Sequence, residues 1–440
     1  MATEVLPRTS PITRRLPELR VLRPVAGGIG LAGTIACGLV LALDTLSGPS
    51  FVTQGPAAFH AWPAGFLGHL GGTPLDPSTW GALTAAMFGF YLLAVAGSAS
   101  IPVRVAVAAV ALLHVAFMLT PPVASRDVFN YVDYARLGVL HGLDPYSNTP
   151  RAFVADPFFR LVGWPDLKSP YGPLYSVVSY VLAPLGVGGA LWAAKAMAVA
   201  AAGGCLALVW RCARLLGRAP APALLLVGLN PAWLVWGVGG DHNDFLMVLL
   251  ELGALLLLLR RREGSAAGVA VLAAGIKAPA LALAGVVVAS ARDRRRAVAG
   301  AAIAALGLVA LSLAVFGGLD SLAAFHSQSG LWTNRSILGQ LGRIFGLGTS
   351  TADLATPAAV ALGVVVSGIQ AWTWRTREPV TAAAWVGAVL VLALTWEFPW
   401  YVAWLLPFAA LAPSFRPRLV AVAFSGVLLF GYVPPYLFLT

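Results

Sequence analysis

Charge is what this 440-residue sequence has least of. Asp, Glu, Lys and Arg make up 11% of it, against about 25% in a soluble domain. Such a chain has too few charges to coat a large water-facing surface. Cysteine is nearly absent as well. Cys37, Cys205 and Cys212 fall inside or at the edge of apolar segments, so no disulfide framework and no metal cluster is expected. The sequence also lacks a low-complexity tract, a soluble domain and a convincing internal repeat. Disorder is excluded, because 59% of the residues are hydrophobic and disorder needs low hydrophobicity with high net charge. What is there instead is a series of apolar runs of roughly 18–22 residues, the length that crosses a ~30 Å hydrocarbon core. The mean hydropathy of +0.81 agrees. The expected fold class is all-α, a polytopic transmembrane helical bundle whose partner is the lipid bilayer.

The net charge of +11 would suggest nucleic acid in a soluble protein. Here the basic residues stand in short clusters at the ends of apolar runs, where they set topology, and no nucleic-acid partner is expected. Residues 1–25 carry Arg8, Arg14, Arg15, Arg20 and Arg23 and read as a cytoplasmic segment before an uncleaved first span, Ala26–Leu43. One transmembrane domain, 26–437, follows. Spans are expected near 26–43, 80–98, 102–120, 191–211, 222–239, 244–260, 297–317, 354–374, 380–395, 399–412 and 418–437, about eleven in all. Arginines at 104, 211–218, 260–262, 292–296, 375–377 and 416–418 then fall on the inner side, as the positive-inside rule requires. Ser265–Ser290 lies between two inner clusters and is interrupted at Lys277-Ala278-Pro279. It is expected as two half-length helices forming a hairpin. Pro173–Val187 is expected as a partly embedded segment on the outer side. Extracytoplasmic loops are placed near 44–79, 121–172, 239–244 and 318–353, and they hold most of the acidic residues. The 44–79 loop shows no motif.

Three of these loops hold residues suited to chemistry. Asp127 follows the third span, beside Arg126. A carboxylate there is placed to take a proton from a hydroxyl, or simply to N-cap the helix Val128–Leu140. Gly239-Gly240-Asp241-His242-Asn243-Asp244 interrupts an apolar stretch, and a tight turn with a helix cap accounts for part of it. A metal site on Asp241, His242 and Asp244 would lack a remote ligand, so none is expected. The third loop holds His326, Trp332, Arg335 and Arg343. Arginine on the outer side runs against the charge rule and suits phosphate, a lipid headgroup or a structural role alike. Inside the membrane, ionisable groups are expensive. Glu251 and Lys277 fall at similar depth, which predicts an ion pair or a Lys277 turned to a ligand phosphate. Lys195, near a helix end, is expected to snorkel.

The runs SRDVFNYVDYARLGVLHGLDPYS, YGPLY, GGDHNDFLMVLL, GIKAPALAL, NRSILGQLGR and PWYVAWLLPFAAL resemble polytopic glycosyltransferases of the GT-C fold. They are most similar to the actinobacterial polyprenol-phosphomannose-dependent alpha-1,6-mannosyltransferases, over about 125–411. The resemblance implies a cell-membrane enzyme that needs no metal or other cofactor. Its donor would be a sugar, mannose above all, on a polyprenyl phosphate, and its acceptor a glycan or glycolipid at the extracytoplasmic face. Asp127 matches the family's general base in an inverting transfer. Arg335 first, then Lys277, Arg126 and His326, are the candidates for the departing phosphate. Asp241, His242 and Asp244 would line the sugar or acceptor site, with Tyr171 and other aromatics stacking on sugar rings. Arabinose or glucose in place of mannose stays open. A transporter or flippase of a lipid-linked sugar is the alternative from another class, and a non-catalytic envelope scaffold is a third. The transporter would carry inverted repeats and several midplane charges.

Overall fold

The computed structural model describes residues 18–46, 70, 73–328, 331–344 and 355–433. Among these residues every regular element is helical, as apolar runs without period-2 alternation require. α1 (Glu18–Asp44), α2 (Pro77–Ala96) and α3 (Val103–Leu119) come first. α2 begins where Asp76 caps it, its Oδ1 accepting the amides of Ser78 and Thr79 at 2.9 and 3.0 Å. α1 and α2 touch through small residues. A Cβ on Gly30 would collide with the backbone of Phe90 and Ala94, so glycine is what lets the two helices approach, as small residues do between membrane helices.

After α3 the chain forms α4 (Asp127–His141), and then a loop of short 3₁₀ turns. The first ten residues of α4 after Asp127 are buried. Gly142 ends it in the left-handed conformation (φ 63°) and returns its N–H to Leu137. An ionic cluster ties α4 to that loop. Arg136 Nε is 3.0 Å from both oxygens of Asp156, and His141 Nε2 is 2.7 Å from one of them. α5 (Pro173–Ser179) and a 3₁₀ turn at Tyr180–Leu185 lead into the long α6 (Gly186–Leu215). The turn ends at Gly186, which takes φ 67°.

Among the described residues, four helices are long and apolar enough to cross a membrane: Arg23–Asp44, Pro77–Ala96, Pro173–Leu215 and Arg294–Phe316. Several shorter apolar helices accompany them. Two expected spans take another form. The stretch near 222–239 is α7 (Pro220–Gly228) followed by a π-helical segment at Ala232–Val238, bent by 52° between them. Pro231 has no N–H to continue the first helix, and Asn230 Oδ1 instead accepts the amides of Ala232 and Trp233. The stretch near 399–412 is a 3₁₀ turn, Pro399–Trp404, and then a six-residue helix. Every residue of it is buried, and a segment apolar on all sides is as compatible with protein interior as with lipid.

α8 (Asp244–Leu259) is followed by α9 (Glu263–Ala274) and α10 (Leu281–Ser290), with α11 at Arg294–Phe316. The break between α9 and α10 falls at Lys277, which is extended (φ −148°, ψ 127°) ahead of a turn at Ala278–Ala280. α12 (Ile337–Ile344), α13 (Ala355–Thr376), α14 (Pro379–Ala393), α15 (Leu406–Leu411) and α16 (Arg416–Gly431) complete the described chain.

Candidate functional site

The start of α4, the loop from Trp164 to Tyr171, the break at Lys277 and residues 396–401 converge on one small cleft. Asp127 and Asn130 line it from α4, and Lys277 from the α9–α10 break. Trp164, Tyr171, Trp396, Phe398 and Tyr401 supply aromatic walls. One carboxylate and one ammonium thus share a space walled by aromatic rings, with Asn130 and Gln328 as further polar groups, a composition that suits an uncharged ring joined to an anion.

Asp127 does not cap its helix. The N-cap position is Arg126, without a side-chain cap bond, and the Asp127 carboxylate faces away from the α4 amides. Its Oδ1 accepts the indole N–H of Trp164 at 2.9 Å. Its Oδ2 lies 3.6 Å from His242 Nδ1, and the side chain is 16% exposed. Burial pushes this carboxyl above the usual range, while the Trp164 bond and then the Lys277 charge pull it back. A carboxylate so placed titrates closer to neutrality than an ordinary aspartate, which suits a general base.

Three of the four polar residues of the 239–244 loop, Asp241, His242 and Asp244, turn to different partners. Asp244 holds Lys277, whose Nζ is 2.9 Å from each carboxylate oxygen, and it also accepts the Trp404 indole N–H at 2.7 Å. Lys277 Nζ in turn lies 5.2–5.8 Å from the ring centres of Tyr401, Tyr171 and Trp404. His242 stacks on Trp400 at 3.6 Å and 14°, with Tyr131 Oη 3.3 Å from Nδ1. Trp400 therefore spends this face on a histidine. Asp241, at φ 61°, turns to Lys195, 3.5 Å away, with both side chains fully buried. Among the described residues no group of three His, Cys, Asp or Glu side chains is arranged to hold a metal ion.

Two expectations are corrected here. Lys277 pairs with Asp244 and not with Glu251, because the extended backbone at the break carries its side chain to the first turn of α8, two turns above Glu251. Glu251 instead borders a separate, mainly apolar pocket between α8, α10, α14 and α15, beside Met247, Leu283 and Phe408. Lys195 does not snorkel. It lies in the interior against Asp241, with its side chain fully buried.

Among the described side chains of the cations proposed for phosphate, Lys277 lines the cleft. Arg335 lies 5.6 Å over the Tyr432 ring, itself 5.5 Å from Phe398, and so sits behind the cleft wall. It is carried there by a loop that Thr333 N–H ties to the Thr395 carbonyl at 2.8 Å and Ile337 N–H ties to Glu397 at 2.8 Å. Arg126 precedes Asp127, its stem close to Gly163. The side chain of His326 and the 47–69 part of the first loop lie outside the described residues. Asn130, Trp164, Trp396 and Tyr401 were missed by the sequence reading. The density of aromatics in WEFPWYVAW, 396–404, was the available signal for the last two.

Residues 31–292 match the family model described as "Alpha-(1->6)-mannopyranosyltransferase, N-terminal domain". Alpha-(1->6)-mannopyranosyltransferase A of Mycobacterium tuberculosis is 27% identical over 348 residues, covering 70% of this chain and 65% of that protein. A probable alpha-(1->6)-mannopyranosyltransferase of Mycolicibacterium smegmatis is 33% identical over 33% of this chain and 27% of its own length. The Corynebacterium glutamicum alpha-(1->6)-mannopyranosyltransferase A is 30% identical over 38% and 34%. The matched region thus spans less than two thirds of these relatives. No solved structure matches. Because the family model covers more than half of its residues, among them Asp127, Trp164, Asp244 and Lys277, the chain belongs to the alpha-(1->6)-mannopyranosyltransferase family.

Proposed function

We propose that this chain is a multi-pass mannosyltransferase of GT-C type, crossing the cell membrane about eleven times, that moves mannose from a polyprenyl phosphate to a glycan or glycolipid at the extracytoplasmic face. The observation that carries this reading is the sharing of one aromatic cleft by Asp127 and Lys277. In the proposed step an acceptor hydroxyl oxygen attacks the anomeric carbon as the bond from that carbon to the phosphate oxygen breaks. The hydroxyl proton passes to Asp127, and the electron pair leaves with the lipid phosphate, so configuration inverts.

A phosphate leaving group calls for a cation and for donors aimed at the charge that develops. Lys277 has the best claim, being already inside the cleft. Arg126 adjoins Asp127, while Arg335 would act only from a second position along the donor. Tyr171, Trp164 and Trp396 suit the faces of a pyranose ring. Asp244 and Asp241 have side chains committed to Lys277 and Lys195, and His242 stacks on Trp400, which favours shaping the sugar or acceptor site over direct contact with sugar hydroxyls.

The test incubates membranes holding the protein with radiolabelled polyprenyl-phosphate mannose and a short mannoside acceptor. Wild type should extend the acceptor, and Asp127→Asn should lower turnover by about 10²–10⁴-fold, the usual worth of a positioned base. Full turnover by Asp127→Asn would remove the base assignment. Movement of unmodified solute across the membrane, without sugar transfer, would overturn the enzyme reading itself.

A further inference from the structure

Asn130 stands one helical turn after Asp127, on the same side of α4. Its side-chain amide makes three hydrogen bonds, and all go to one dipeptide of the loop that follows α4. Oδ1 accepts the amides of Gly163 at 2.9 Å and Trp164 at 3.1 Å, and Nδ2 donates to the Trp164 carbonyl at 3.1 Å. An asparagine side chain offers two lone pairs and two N–H donors, so three of four capacities are spent on fixing this one piece of backbone. Gly163 lies close against Arg126, where an added Cβ would come within 3.1 Å of the Arg126 Cβ. The indole thus fixed returns to α4 and donates to Asp127 Oδ1 at 2.9 Å. Asp127, Asn130 and Trp164 therefore form a closed ring of contacts across 37 residues of sequence.

We propose that Trp164 is the positioning residue for Asp127, and that Asn130 is the splint that holds Trp164 in place. The inference rests on the reading of Asp127 as base. Indole N–H is a donor only, so Trp164 cannot take the acceptor's proton. Its bond occupies Oδ1 and leaves Oδ2 as the oxygen that receives it. A charge-assisted bond also favours the ionised carboxylate, keeping the base available in a buried site. The same ring meets Trp396 edge-on at 5.4 Å, so it serves as cleft wall with its rim while its nitrogen faces the base.

Trp164→Phe separates the two roles, since it keeps an aromatic wall and deletes the N–H. With the polyprenyl-phosphate mannose assay, kcat should fall about 10- to 100-fold, the range for a hydrogen bond to a charged group. The acceptor KM should stay within about two-fold, and the acid limb of the kcat/KM profile should move up by about one pH unit. Asn130→Ala should move both quantities the same way. The double variant should be scarcely worse than either single one, because both act through one bond. A wild-type kcat and acid limb in Trp164→Phe, or a rise in KM alone, would overturn the proposal in favour of a stacking role. Thermal unfolding in detergent checks each variant. If Trp164→Phe does not fold, Asn130→Ala and Asn130→Gln give the same two readouts, and an unmoved acid limb in both overturns it. The Asp127→Asn control separates the two readings. Turnover retained there defeats the base, whereas an inactive Asp127→Asn beside an unshifted Trp164→Phe defeats only the positioning role.

Discussion

The Lys277 ammonium lies 2.9 Å from both oxygens of the Asp244 carboxylate, and the pair is enclosed by Tyr171, Tyr401 and Trp404. A buried pair gains little net stability, but breaking it strands a charge and costs about 3–5 kcal/mol. Asp244→Asn should therefore be poorly folded or thermally labile, because Lys277 loses its counter-charge. Lys277→Met should fold better than Asp244→Asn, since Asp244 keeps the Trp404 N–H as a hydrogen-bond donor. If Lys277 receives the departing phosphate, Lys277→Met should lose at least about 10²-fold in kcat, as removal of one donor to a developing charge does elsewhere. Detergent melting curves with single-turnover rates check both, and a fully active Lys277→Met would remove Lys277 from the leaving-group role.

The raised carboxyl of Asp127 fixes the sign of a pH effect. A base works only when ionised, so activity should fall as pH drops through its titration. Burial sets that titration above the ordinary aspartate range. The acid limb of kcat/KM should accordingly lie above pH ~4, the value for a free aspartate. A limb at or below that value would show that the cleft is wetter in the working enzyme, or that another group is being titrated. Comparing profiles in H₂O and D₂O distinguishes a titrating base from acid unfolding.

On the other side of α4, Asp133 is buried with one carboxylate oxygen lacking a hydrogen-bond partner. Burial, and then the charge of Asp156, push it up to about 7, against the pull of Arg136. Its folded value thus exceeds its unfolded value. Stability linked to it is complete below about pH 4 and is lost progressively as pH rises to about 7. Asp133→Asn should remove this loss. It should raise the melting temperature by about 2–4 °C at pH 8, the scale of ~1 kcal/mol, and change it less at pH 5. The opposite ordering would mean that the carboxylate is ionised and satisfied in the folded protein.

Helices were legible in the sequence wherever an apolar run stood between arginine clusters, because length and hydropathy alone decide those elements. Lys277 and Pro279 likewise marked the break between α9 and α10. Hydropathy does not, however, distinguish lipid from protein as the apolar surroundings. Lys195 was therefore given a route to water that the fold closes. Within the site, Asp127 stood out because a charge beside a membrane exit is rare. Trp164 did not, because its bond to Asp127 reaches across 37 residues of loop with no periodicity to register the two. Asn130 lay in plain view one turn from Asp127, but an asparagine on a helix face says nothing by itself about a loop that has yet to fold onto it.

The Lys195–Asp241 pair offers the last test. At 3.5 Å, with both side chains fully buried, its geometry is too loose for the attraction to repay desolvation, which argues against stability as its purpose. What it does is tie the loop residue just before His242 to α6, at a backbone angle (φ 61°) that L-residues rarely adopt. Each single change, Lys195→Met or Asp241→Asn, should destabilise by about 3–5 kcal/mol through the charge left behind. The double change should recover most of that stability, as replacement of a whole buried pair by uncharged groups does. Activity should recover less than stability, because the backbone at Asp241 is then free to relax and His242 to move from Asp127 Oδ2. Urea or thermal midpoints alongside kcat for the three variants decide the matter. A double variant as active as it is stable would reduce the pair to a packing feature with no bearing on the site.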